Sequence, residues 1–212
     1  MNNDPLFFVD PNGKELYIFG EDEESRKKAF ELLQQFVGEG ADRLTLGENG
    51  RVLINTEDYK YGSNKALDLL IDIDQAVDAE GNTIKIGFGV STKEISPEDI
   101  SANNEVRGGG IVNASVTPRA GVGPDRRPDL PLGYPPGPKP THGFQGEVTI
   151  STHVEWSING KPIARSQIVG HELSENLYRT RDKLNYWVAH AIANLKFFGG
   201  DFRRRISARP IR

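Results

Sequence analysis

Cysteine is absent from the 212-residue chain, which rules out disulfides, thiolate metal sites and a cysteine nucleophile, and leaves the redox compartment open. No apolar run approaches the ~18 residues of a membrane span, and Met1-Asn2-Asn3-Asp4 lacks the basic and apolar regions of a signal peptide. A soluble chain without its own export signal is therefore expected. Charge of one sign is lacking too. A formal net charge of −4 argues against a global nucleic-acid binder, and the locally basic tail, residues 202–212, reads as a solvated end rather than a phosphate clamp. Two catalytic signatures are missing as well. There is no G-x-S-x-G elbow, and Gly108-Gly109-Gly110 has neither the lysine nor the strand-to-helix setting of a phosphate loop.

What is present suffices for one sizeable domain without staples. A short strand is expected at residues 15–19. A helix over 22–37 follows, with Ala29, Phe30, Leu32, Leu33, Phe36 and Val37 at helical spacing and Gly38 as its stop. Residues 44–46 and 51–55 flank Gly47-Glu48-Asn49-Gly50 and read as a hairpin, and Ser63 is placed to cap a second helix through Leu67, Leu70, Ile71 and Ile73. Alternation over 83–90 predicts a strand. Residues 118–140 hold eight of the thirteen prolines, which marks a loop over 117–141, read as a flexible excursion rather than a lid or a polyproline ligand. GEVTISTHVEWSI, residues 146–158, alternates as one strand with Val148, Ile150, Thr152, Val154, Trp156 and Ile158 on one side; Asn159-Gly160 closes it. Helices over 163–179 and 182–197 are expected to follow.

The first of these two helices carries VGHELSENL. His171 and Glu175 are four residues apart and share a face, while Val169, Leu173 and Leu177 form an apolar stripe suited to a core. Glu172 is rotated from His171 by about 100°, the place of the general base in H-E-x-x-H, where it can take a proton from water. Histidine and carboxylate are both competent metal ligands, and a catalytic zinc takes three protein ligands and keeps an open position. His190, 15 residues after Glu175 on the next helix, is the candidate third ligand. Asp201 and His153 are spare candidates, and His142 is the weakest. Glutamate in place of a second histidine shifts the balance toward harder ions, so manganese and iron are rivals of zinc.

Two resemblances follow from these residues. Asn3-Asp4-Pro5-Leu6 with Asp10-Pro11-Asn12-Gly13 resembles the junction in Rhs-repeat polymorphic toxins where a shared shell ends and an unrelated toxin domain begins. That implies a junction at residues 1–14, a toxin domain at 15–212, and a Met1 that is an expression start. VGHELSENL followed by YWVAH resembles the active-site helix pair of the zincin metallopeptidases, as an H-E-x-x-E variant, over residues 146–197. The implied fold is α+β and zincin-like: a mixed sheet with a C-terminal pair of helices carrying the metal site, and the strand before the motif lying beside the cleft. The implied activity is hydrolysis of a peptide bond, with His171, Glu175 and His190 as metal ligands and Glu172 as general base. Tyr186, and less so Tyr178, would donate a hydrogen bond to the oxyanion. The implied setting is an effector toxin delivered by a secretion system and acting inside the target cell, with a protein or peptide substrate and a cognate immunity protein as partners.

Plainer readings stand beside this one. Glu172 and Glu175 can simply pair with Arg179 at i+7 and i+4, with His190 a half-buried helix residue. The chain can be a zincin-shaped binding module without catalysis. A nucleic-acid-targeting toxin would use the basic tail and the carboxylates of Glu172 and Glu175 with magnesium.

Overall fold

The first helix is written in its ends. Asp22 accepts the Ser25 N–H at 2.7 Å, and Gly38, with φ 63°, stops the helix and donates its N–H to the Gln34 carbonyl. Between them runs α1, Glu23–Val37, with Ala29, Leu32, Leu33 and Val37 buried. The structure is a computed structural model that describes residues 15–92, 113–115, 142–152, 154–158, 161–184, 186–199 and 206–210. The Rhs-like opening, residues 1–14, and the proline-rich stretch 117–141 lie outside them.

A four-stranded sheet is the backbone of the molecule. It runs in the order β1 (Leu16–Ile18), β4 (Ile86–Ser91), β6 (Gly146–Ser151), β5 (Asn113–Ser115); the first three are parallel, and β5 is antiparallel to β6. Leu16, Ile18, Ile86, Phe88, Val90, Val148 and Ile150 turn one face into the core. That face is covered by α1 against β4 and by the helix α3 (Arg165–Arg181) against β6. The expected alternation over 83–90 is not what the strand shows. It starts at Ile86 and is buried on both faces, because Gly87 and Gly89 leave room for the rings of Phe144 and Phe19. A side chain on either glycine would collide with those rings.

The remaining elements are the expected hairpin, β2 (Leu44–Leu46) with β3 (Val52–Ile54), and the helix α2 (Lys65–Asp74). Asn64, not Ser63, caps α2. Its Oδ1 accepts the N–H groups of Ala66 and Leu67 at 3.0 and 3.1 Å, and its Nδ2 donates to the carbonyls of Val37 and Glu39, tying the start of α2 to the end of α1. The Ser63 hydroxyl instead bonds the Lys60 carbonyl.

Residues 146–158 are two strands rather than one. β6 ends at Ser151, and β7 (Val154–Ile158) belongs to a separate antiparallel sheet, β8 (Lys161–Ile163), β7, β9 (Ile206–Pro210). The strand leading toward the motif is interior to its sheet, with β4 on one side and β5 on the other. Residues 206–210 of the basic tail form a strand paired with β7. Helix α3 starts at Arg165, after β8, and α4 runs Tyr186–Phe198. The chain is thus a mixed α/β structure, with four α-helices among the described residues and small sheets, in agreement with the α+β class.

Gly170 sets how closely the three helices meet. A Cβ there would lie 2.5 Å from a ring carbon of Phe197 and 2.6 Å from one of Phe36. Gly170→Val should therefore overpack the junction by about 3 kcal/mol, lowering Tm by roughly 6–12 °C for a domain of this size; thermal unfolding followed by circular dichroism measures it, and an unchanged Tm would contradict this packing.

Candidate metal centre

Helix α3 is held at a fixed rotation. Ile168, Val169, Leu173 and Leu177 are buried against the core, and four such side chains contribute on the order of 8 kcal/mol by area. On a neighbouring stripe Asn176, fully buried, donates Nδ2 to the Glu147 carbonyl of β6 at 3.2 Å. The contact is possible because Gly146 has no side chain where the Asn176 amide lies. Glu147 is itself buried, its carboxylate accepting the backbone N–H of His142 at 2.7 Å. The stripe at 171 and 175 is thereby turned toward α4.

The structure brings His171, Glu175 and His190 together, with one ligand atom from each lying within 4.8 Å of the others. Glu175 Oε2 is 2.8 Å from His190 Nδ1 and 3.6 Å from His171 Nε2. The two imidazoles meet edge to face, centroids 4.7 Å apart. Ligand atoms about 3.3 Å apart are what tetrahedral bonds of zinc length require, so the observed separations bracket the geometry of a metal triad. Glu172 Oε1 is 3.8 Å from His171 Nε2 and is more exposed than either ligand of α3. It stands beside the triad on the solvent side.

Burial makes the chemistry of His171 unusual. The ring is 1 % exposed, rests 5.2 Å from the Phe198 ring, and has no hydrogen-bond partner among the described residues at either nitrogen. A buried unpaired polar atom costs about 1–3 kcal/mol, which the apolar stripe of α3 can carry but which satisfies nothing by itself. Burial pushes the pKa of His171 down to about 4. The Glu175 charge opposes this, His190 adds to it, and the nearby Ala193 backbone opposes it weakly without hydrogen-bond geometry. The ring is therefore neutral near pH 7, as a metal ligand must be. Burial alone would raise Glu175, but its hydrogen bond to His190, with the charges of His190, His171 and Arg179, holds it below the usual carboxylate value. A neutral imidazole and an ionised carboxylate at this spacing fit a divalent cation. The donor set can hold a metal ion.

The other expected residues fare differently. His142 pairs with Glu147 and meets the Phe19 ring at a tilt, centroids 4.4 Å apart, and it takes no part in the triad. Asp201 and His153 lie outside the described residues. Tyr186 opens α4 four residues before His190, but its side chain lies outside the described residues. Tyr178 carries the Arg181 guanidinium 5.9 Å above its ring. The ion pair of the plainer reading is also present, Arg179 Nη1 to Glu175 Oε1 at 3.6 Å, yet it engages the oxygen that does not face the histidines. Asn176 and Glu147 are the positioning residues that sequence reasoning missed, since their contact spans 29 residues and has no local signal. No family model, no curated protein and no solved structure matches the chain.

His171 has a lower pKa folded than the 6.5 of an exposed imidazole, so the unfolded chain binds more protons between those values. Its contribution is complete above pH 6.5 and is lost as pH falls toward 4. The change amounts to about 3 kcal/mol, and in metal-free buffer Tm should fall over this window in the wild type and less steeply in His171→Gln. Parallel pH profiles would contradict a buried neutral His171.

Proposed function

We propose that the chain is a zinc-dependent metallopeptidase with a zincin-like active site, the H-E-x-x-E form of that helix pair. The single observation that carries the reading is the His171–Glu175–His190 triad, its first two members buried and His190 half-buried, with Glu172 beside it, assembled from two helices. His171, Glu175 and His190 would hold a zinc ion, which would supply Lewis acidity toward a carbonyl and toward water.

The residues of the chain do the rest. His171 and His190 would each offer a ring nitrogen, and Glu175 a carboxylate oxygen, to the ion. Glu172, one residue from a ligand and partly exposed, accepts a proton from the attacking water and delivers it to the leaving amine. Tyr186 is assigned the oxyanion contact on the strength of its position one turn before His190. The Rhs-like opening gives the proposed setting, a toxin delivered by a secretion system into a target cell and neutralised by an immunity protein that covers the cleft. Manganese or iron in place of zinc is compatible with the carboxylate ligand.

Glu172→Gln separates chemistry from binding. It should keep the metal and lose about 10²- to 10⁴-fold in peptide-bond hydrolysis, measured on a peptide library with zinc-loaded protein. Equal hydrolysis by wild type and variant would remove Glu172 from the chemistry, and a zinc-loaded wild type that cleaves no peptide would favour a binding module.

A further inference from the structure

The two oxygens of Glu175 have different surroundings. Oε2 points between the imidazoles, 2.8 Å from His190 Nδ1 and 3.6 Å from His171 Nε2. Oε1 faces the guanidinium of Arg179, whose Nη1 lies 3.6 Å away. Arg179 sits one helical turn after Glu175, the favourable order for an acid and a base at i and i+4. Both side chains are largely withdrawn from solvent, 15 % exposed for Arg179 and 4 % for Glu175, so water and salt screen this pair less than a surface pair.

We infer that Arg179 is a positioning residue that reserves Glu175 Oε1, so that Glu175 meets a metal ion through Oε2 alone. The inference rests on the metal-site reading above and deepens it. A carboxylate without such a partner can swing both oxygens onto one ion, which raises the coordination number and takes up the position a water or a carbonyl would need. A cation beside one oxygen prevents the swing, because turning Oε1 inward would leave the guanidinium without that partner. Outer contacts of this kind hold a ligand in its productive orientation, and their loss typically weakens metal binding by about 10- to 100-fold. Arginine suits the task because its guanidinium is charged at every working pH and is a planar fork at the end of a stem that reaches back along the helix.

The test uses cobalt(II) as the metal, added to the full chain, with affinity measured by competition against a coloured chelator and coordination read from the visible absorption. Four-coordinate cobalt absorbs more intensely than five-coordinate cobalt. The wild type should bind cobalt with the intense spectrum. Arg179→Met and Arg179→Gln should bind roughly 10- to 100-fold more weakly and show the weaker spectrum, while Arg179→Lys, which keeps the charge, should recover most of the affinity. The spectrum is the reading that a merely structural role for Arg179 would not change, and circular dichroism confirms that each variant is folded. Folded Met and Gln variants with wild-type affinity and spectrum would overturn the inference and leave the metal site standing. A wild type that binds no cobalt would overturn both.

Discussion

Everything distinctive about this molecule depends on a neutral imidazole being held where water cannot reach it. His171 lies at the meeting of α3 and α4 with both ring nitrogens lacking hydrogen-bond partners among the described residues, and burying such atoms opposes folding by about 1–3 kcal/mol each. The apolar stripe on the same helix outweighs that cost, since Ile168, Val169, Leu173 and Leu177 have no comparable alternative to the core. What the stripe cannot do is give the imidazole a partner. Glu175 and His190, arriving from one turn along and from the facing helix, provide an ionised oxygen and a second nitrogen within reach. A cation is the partner that this combination of a buried neutral base and a depressed carboxylate suits.

The scaffold exists to keep those groups from drifting. Gly170 lets Phe197 and Phe36 close on the helix immediately before His171, and Gly146 lets Asn176 reach the backbone of β6 immediately after Glu175. His171 and Glu175 are thus bracketed by two close approaches that only glycine permits. Farther out, Glu147 links the same strand to His142, and Arg179 takes the outer oxygen of Glu175. Each contact acts on orientation rather than on charge alone, and for a metal site orientation decides affinity.

Much of this was legible in the residues, for reasons that can be named. Helix α1 announces itself by period and caps, the hairpin by its Gly-bearing turn, and the two-helix site by the four-residue step from His171 to Glu175 and the offset to His190. The failures share a cause. A period of two continues unchanged through residues 146–158 although the chain leaves one sheet for another near 152, because alternation records sides and not sheets. Ser63 and Asn64 are both good capping residues, and the carbonyls of Val37 and Glu39 that favour Asn64 are far away in sequence. Glu147 reads as a solvent-facing residue and is buried, because the partner that draws it in is the backbone of His142 in a neighbouring turn. In each case the local pattern does not record the partner that decides the structure.

Metal content is the most direct test of the central claim. Elemental mass spectrometry on the purified wild type, His171→Ala and His190→Ala should give about one zinc, or a competing divalent ion, per chain in the wild type and none in either variant. A wild type that is metal-free, and that stays so after incubation with zinc and removal of the excess, would contradict the account and leave Glu175 and His190 as a hydrogen-bonded pair beside a buried His171.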